Sequence, residues 1–91
     1  MKSIPPEESL IVYPCDFPIK VMGRAHEDFA RVMAEVARTF DPGFDPGTIE
    51  IRPSGRGNYV GLTLLVRVES REQLDALYQA LHGHEMVSVV L

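Results

Sequence analysis

The feature that most constrains this chain is a ten-residue run, Tyr59 to Val68, in which large apolar side chains recur at every second position. The recurring apolar positions are Val60, Leu62, Leu64, Val66 and Val68. A repeat of two places these residues on one face of a β-strand, so the run predicts a strand with one buried face. Such a strand needs neighbours to pair with and a second layer to cover its apolar face.

Three further segments have the pattern of strands. Phe17 to Gly23 alternates with Phe17, Ile19 and Val21 on one side. A second strand is expected near Thr48 to Ser54, and an apolar strand is expected from Met86 to Leu91. Gly55 to Asn58 lies between the second and third strands and reads as a hairpin connection longer than a two-residue turn.

Two segments have the period of helices. The first is expected near His26 to Phe40, since its apolar residues recur three or four positions apart and form one stripe. The second opens with Ser70-Arg71-Glu72-Gln73, which reads as a capping box. Gly83 follows its apolar stripe, and we expect it to be the left-handed residue that ends the helix.

The resulting order is β-α-β-β-α-β. Two β-α-β halves joined by a hairpin predict an α+β ferredoxin-like sandwich, a four-stranded antiparallel sheet with two helices on one face. Strands 2 and 4 are then the outer strands. Residues 1–16, with prolines at positions 5, 6 and 14, are expected to form an N-terminal arm, and residues 17–91 the domain.

Composition narrows the classes of function. Ninety-one residues, of which 45% are apolar and 24% charged, suit one globular domain. The net charge of −4 argues against non-specific binding to nucleic acid or to an anionic membrane. One cysteine cannot form an internal disulfide. We expect a cytoplasmic protein, because no signal-peptide pattern or membrane-spanning run is visible.

Three stretches together resemble the YbeD-like family of small uncharacterised bacterial proteins. They are Tyr13 to Gly23, then Pro53-Ser54-Gly55-Arg56-Gly57-Asn58-Tyr59, and the segment from Leu77 to Leu91. The resemblance implies a ferredoxin-like fold similar to the ACT regulatory domains of amino-acid metabolism, with no established activity. It also implies an association with lipoate synthesis, since family members are often encoded near those genes. This chain has Gly55 where the family usually has a second serine.

No pattern in the chain predicts catalysis, a cofactor or a bound metal. Ser-His-Asp sets, paired carboxylates and phosphate-binding glycine loops are absent from the sequence, so we expect no enzyme activity. Cys15 lies beside Asp16, which does not favour a thiolate, and we expect a structural role for it. His82 and His84 are expected at a solvated helix end. Arg56 to Gly61 faintly resembles an RNA-binding strand, but aromatic residues do not follow it, so RNA binding is not expected.

The hairpin and the sheet surface beside it are the candidate site. Cations and hydrogen-bonding side chains are concentrated there in an otherwise acidic chain: Arg52, Ser54, Arg56, Asn58 and Tyr59. Such a loop suits an anionic ligand or an acidic partner surface, whereas a solvated turn is the alternative. The alternation also predicts a mixed polar and apolar face turned away from the helices, comprising Lys20, Met22, Glu50, Arg52, Tyr59, Gly61, Thr63, Leu65 and Arg67.

These features favour a non-catalytic regulatory or adaptor module that binds a protein partner. The alternative is an ACT-like sensor of an amino acid or a lipoate-related metabolite, with its small anionic ligand at the turn containing Gly23 and Arg24. We expect a monomer, or a weak homodimer formed through the open sheet face.

Overall fold

The alternating run forms one of the two inner strands of the sheet in a computed structural model, which describes residues 12–91. The elements are β1 (Cys15–Arg24), α1 (Phe29–Phe40), β2 (Glu50–Ser54), β3 (Tyr59–Val68), α2 (Arg71–His82) and β4 (Val89–Val90). Short 3₁₀ turns at Pro46–Thr48 and Gly55–Gly57 precede β2 and β3. Of the expected arm, residues 1–11 lie outside the described residues.

The four strands form one antiparallel sheet in the order β2-β3-β1-β4. β1 and β3 pair along their whole length, from Cys15 opposite Val68 to Arg24 opposite Tyr59. The outer strands are therefore 2 and 4, as the crossover rule requires. The predicted ferredoxin-like α+β fold is confirmed.

The core lies between the helices and one face of the sheet. Leu62, Leu64, Val66 and Val68 of β3 are buried there, Val60 is partly buried, and Leu64 is fully inaccessible to solvent. They contact buried residues of β1, α1 and α2, which are Ile19, Val21, Phe29, Met33, Ala34, Ala37, Leu74, Leu77 and Leu81. The Ser70 cap forms as expected, since the Gln73 N–H donates to Ser70 Oγ at 3.2 Å, whereas Gln73 Oε1 accepts from the Glu69 N–H, one residue before the cap, and not from that of Ser70. The Gln73 side chain also donates to the Phe40 carbonyl at 2.6 Å, which joins the start of α2 to the end of α1.

The starts of β1 and of α1 differ from the sequence-based expectation. β1 begins at Cys15, two residues earlier than expected, because Cys15 and Asp16 pair with Val68 and Arg67 of the long β3. α1 begins at Phe29 and not near His26. The Asp28 N–H donates to His26 Nδ1 at 3.0 Å and the Phe29 N–H to the His26 carbonyl at 3.0 Å, so residues 26–28 form a separate turn.

Two expectations after α2 also need correction. Gly83 has φ −83° and ψ −4°, so α2 ends in a right-handed turn and not at a left-handed glycine. β4 is confined to Val89–Val90 and does not begin at Met86. The Met86 N–H donates to His84 Nδ1 and the Val87 N–H to the His84 carbonyl, both at 3.1 Å. This turn keeps residues 84–87 out of the sheet. Bonding to β1 begins at Ser88, whose N–H donates to the Met22 carbonyl at 2.7 Å.

Each described helix has 12 residues, and none between residues 12 and 91 is long and apolar enough to cross a membrane.

Candidate binding face

The sheet face opposite the helices is the candidate site, and we call it the open face. Strand pairing sets its residues in rows. One row runs Arg52, Gly61, Met22 and Val89, and the next runs Glu50, Thr63 and Lys20, with Leu91 bonded to Lys20 through both backbone groups. Ser54, Tyr59 and Arg24 form the row at the hairpin end. The pairing confirms the face assignment made from alternation and adds Arg24, Ser54, Val89 and Leu91.

Apolar side chains are exposed on this face. Leu65 is 44% exposed, Val89 46% and Leu91 73%. Singly exposed apolar residues are common on proteins, but here Val89 and Leu91 lie next to Met22, so the three form a small continuous patch.

The open face also carries more positive than negative charge. Its four cations are Lys20, Arg24, Arg52 and Arg67, and its two carboxylates are Asp16 and Glu50. Arg67 lies 3.8 Å from Asp16 and 3.8 Å from Glu69, so its charge is partly balanced. Among residues 12–91, no carboxylate lies within 4.0 Å of the other three cations. These three remain available to an anionic group.

The hairpin that ends the face has an unusual backbone. Gly55, Arg56 and Gly57 all have positive φ, and the Asn58 N–H donates to the Gly55 carbonyl at 3.1 Å. Arg56, at φ 58° and ψ 32°, is the one non-glycine with positive φ among the described residues. The two central residues match a type I′ turn, which ordinarily selects Asn or Gly at the first of them. The hairpin is thus a four-residue connection, as expected, with an arginine at its tip.

Two cavities open on this side of the molecule. A cavity of about 320 Å³ lies over Gly61 and extends from Arg52 to Leu91. A second cavity, of about 490 Å³, lies at the hairpin end and is lined by Arg24, Ala25, Gly57, Asn58 and Tyr59. A hydrogen bond of 2.9 Å from the Ala25 N–H to the Asn58 carbonyl fixes the second cavity's two sides.

The seven candidate binding residues that the sequence indicated do not all lie together in the structure. Arg24, Asn58 and Tyr59 line the second cavity, whereas Arg52 and Ser54 line the first. Arg56 lies at the tip between them. Gly23 is buried on the helix side, where a methyl group would overlap the Met86 carbonyl oxygen and approach Phe29 Cζ to 2.9 Å. The structure therefore gives Gly23 a packing role.

Sequence reasoning placed Lys20 and Met22 on the open face but did not place Val89 or Leu91 there. Placing Val89 and Leu91 required the register of β4, which the apolar run Val89-Val90-Leu91 does not set.

The remaining chemical groups are held in structural contacts. Cys15 is half-buried at the edge of the core. His84 accepts the Met86 N–H, and the His82 ring lies 6.4 Å from that of Tyr78. Burial raises the pKa of the Tyr78 phenol. Within residues 12–91, no three His, Cys, Asp or Glu side chains are grouped closely enough to hold a metal ion.

The fold and this face define a small α+β protein with an uncovered, cation-bearing sheet surface. The sequence profile of the family "Protein of unknown function (DUF493)" matches residues 8–91, and the chain belongs to this family. It is 67% identical to a UPF0250 protein of Bordetella pertussis over the full length of both chains. It is also 61% identical to UPF0250 protein RSc0326 of Ralstonia nicotianae, over 96% of this chain and 90% of that protein. The resemblance to the YbeD-like family is confirmed.

A solved structure shows the same fold. The solution structure of protein HP0495 from H. pylori superposes with a TM-score of 0.75 at 15% sequence identity, covering 100% of this chain and 96% of that one. At this identity the likeness concerns the fold alone.

Proposed function

We propose that this chain is a non-catalytic regulatory or adaptor module that binds a protein partner through its open face. The observation that supports the proposal is the combination, on one uncovered surface, of exposed apolar side chains and three cations without a carboxylate partner among residues 12–91. Protein interfaces typically join an apolar centre to a polar rim, and arginine is enriched in them.

The absence of buried polar groups supports a binding role over catalysis. Among the described residues, no polar or charged side chain is buried. Catalytic groups commonly gain their reactivity from burial and from fixed neighbours that shift their pKa values or stabilise developing charge. Neither cavity offers such surroundings.

Site-specific photo-crosslinking tests the proposal. A photoreactive phenylalanine analogue replaces Leu65 on the open face or, as the control, Asp75 on the exposed surface of α2. We expect Leu65 to give one defined adduct with a cytoplasmic protein and Asp75 to give none. Adducts of equal yield and identity at both positions would contradict the proposal.

A pair of double variants adds a charge control. Arg52→Ala with Arg56→Ala should abolish the Leu65 adduct, because both cations lie at the proposed contact. Arg38→Ala with Arg71→Ala removes the same charge from exposed positions on the helices and should leave the adduct unchanged. Melting temperatures of both variants should stay close to that of the unsubstituted protein, since surface changes of this kind have small effects on stability. If the first double variant still forms the adduct, the hairpin region is only a turn and does not contribute to the contact.

The second cavity favours one further candidate, the ACT-like sensor of a small anionic metabolite. Its volume of about 490 Å³ and its Arg24, Asn58 and Tyr59 side chains suit a small carboxylate. A thermal-shift screen of amino acids and lipoyl compounds separates the two functions. A ligand raises the melting temperature of a sensor, whereas a protein-binding module is unaffected.

A further inference from the structure

Gly61 is a glycine that the backbone of β3 does not require. It is the third residue of a ten-residue strand, is paired on both sides, and its φ is not positive. A methyl group at this position would approach no atom closer than the Arg52 carbonyl oxygen at 3.8 Å and Met22 Cε at 3.9 Å. Those are ordinary contact distances, so an alanine fits. Because glycine weakens a strand interior by roughly 0.5–1 kcal/mol relative to alanine, the protein is less stable than it could be.

Gly61 lines the first cavity, and its missing side chain leaves room there. Arg52 and Met22 are the cross-strand neighbours of Gly61, and the cavity continues past Met22 to Val89 and Leu91. The wall on the β1 and β4 side is therefore apolar. Lys20 and Glu50 lie in the adjacent row. Arg52 lies on the β2 side of the cavity, opposite the apolar wall. Glycine within a strand often marks a place where another chain or a ligand approaches the backbone closely.

We infer that the Gly61 cavity is the anchor pocket of the open face and that it receives one large apolar side chain from an acidic segment of the partner. Carboxylates that flank this side chain pair with Arg52 and Lys20. The inference rests on the proposed function and names the chemistry of the partner segment. Interface anchors are commonly single large side chains held in pockets near the centre of a contact surface, which matches this position.

Charge decides between the possible occupants. Two cations, Lys20 and Arg52, and one carboxylate, Glu50, line the pocket, and neither cation has a carboxylate within 4.0 Å among the residues that the structure describes, so the surroundings of the pocket attract negative charge. A second copy facing this surface would bring the same cations against one another. An acidic segment of a different protein satisfies both the cations and the apolar wall.

Selection from a random twelve-residue peptide library tests the inference. The library is displayed on phage and selected on the purified chain at low salt. We expect the enriched peptides to share one Phe, Trp, Leu or Met with Asp or Glu within three positions of it. Synthetic copies of these peptides should bind Gly61→Leu at least tenfold more weakly than the unsubstituted protein, because the leucine occupies the pocket.

Matched variants separate a filled pocket from a damaged fold. Gly43→Leu makes the same substitution at an exposed loop glycine without positive φ, where the nearest atom to an added methyl is Asp41 Oδ1 at 3.6 Å. It should leave peptide affinity unchanged. Gly61→Ala should give an intermediate loss of affinity while the melting temperature stays the same or rises. Arg52→Gln should weaken binding several-fold and reduce its dependence on salt.

Failure of the inference is distinct from failure of the proposed function. Peptides that bind Gly61→Leu as tightly as the unsubstituted protein, or enrichment without acidic residues, would overturn the anchor pocket. If the Leu65 photo-adduct persists in Gly61→Leu but disappears in the Arg52 and Arg56 double variant, the open face binds a partner without using the pocket. Photo-adducts of equal yield and identity at Leu65 and Asp75 would instead overturn the proposed function.

Discussion

Two glycines in neighbouring strands have different reasons for lacking a side chain. Gly23 in β1 faces the helices, and its hydrogen lies where a methyl group would overlap the Met86 carbonyl oxygen. Gly61 in β3 faces outward and has room for a methyl group. The first glycine permits the chain after α2 to pack closely on β1, whereas the second leaves a depression on the surface. The same substitution therefore has opposite effects at the two positions.

Alanine substitutions at both glycines test this difference. We expect Gly61→Ala to raise the free energy of unfolding by about 0.5–1 kcal/mol, because alanine suits a strand better. Gly23→Ala should lower it by about 1–3 kcal/mol, the usual cost of overpacking a close contact. Urea unfolding of the two variants provides the measurement. A shared sign would show that at least one glycine has been assigned to the wrong environment.

Arg56 holds the tip of the hairpin in a strained conformation. A left-handed backbone costs an ordinary residue roughly 1–2 kcal/mol, whereas asparagine tolerates it well. Arg56→Asn should therefore raise the free energy of unfolding by about 0.5–1 kcal/mol, and Arg56→Val should lower it by about 1–2 kcal/mol, since a β-branched residue tolerates this region poorly. Equal stability of the two variants, measured by chemical denaturation, would mean that the turn relaxes in solution.

Among the elements, β3 has one buried face and one open face. Leu64 is inaccessible to solvent, while the adjacent Leu65 is 44% exposed. Leu64→Ala should cost about 2–5 kcal/mol because it leaves a cavity under both helices. Leu65→Ala should cost less than about 1 kcal/mol. Equal losses in urea melts would place the strand in the opposite register.

Prolines at the sheet edges are consistent with this register. The Lys20 N–H and carbonyl both bond to Leu91, so the even positions of β1 direct their backbone groups toward β4. Pro18 is also at an even position, so its backbone nitrogen faces away from β3 and no N–H is needed there for pairing with β3. Backbone groups alternate in direction along β3 in the same way. Those of Ile51 and Pro53 in β2 therefore point away from β3, toward the edge of the sheet. Each proline removes a donor from an uncovered part of the described sheet, which discourages edge-to-edge association.

The elements that could be predicted from sequence are those set by local patterns. The bounds of β3 and the Ser70 cap of α2 follow from alternation and from the Ser70–Gln73 spacing, which need no distant contact. The start of α1 and the short β4 could not be predicted, because imidazole nitrogens of His26 and His84 accept backbone N–H groups there. The lining of the cavity over Gly61 depends on which residues are neighbours across the strands. Alternation therefore predicted the sheet face on which the cavity lies, but not the residues that line it.

At the scale of the whole molecule, charge is divided between two sides. The open face and the hairpin tip carry five cations and two carboxylates, while the rest of residues 12–91 carries three arginines and nine carboxylates. An acidic protein thus presents a basic surface in one direction. Such a separation orients an acidic partner during encounter and speeds association at low salt.

This division of charge also governs self-association. Two copies that meet through their open faces place Lys20, Arg24 and Arg52 of each against like charges. The screening length falls from about 30 Å at 0.01 M salt to about 3 Å at 1 M, so the repulsion weakens as salt is added. We expect a monomer at about 0.01 M NaCl, and any weak homodimer through this face should form only at high salt.

Sedimentation velocity across a salt series measures this dependence. Lys20→Gln with Arg52→Gln removes two of the repelling charges, so this variant should self-associate more strongly at low salt than the unsubstituted protein and vary less with salt. Arg38→Gln with Arg71→Gln, which changes cations on the helices, should behave like the unsubstituted protein. A dimer that is present at low salt and dissociates as salt is added would require opposite charges to meet. Because nine of the eleven acidic side chains of residues 12–91 lie off the open face, that result would indicate contact between the open face of one copy and an acidic surface elsewhere on another, and would make the acidic occupant of the open face a second copy of this chain.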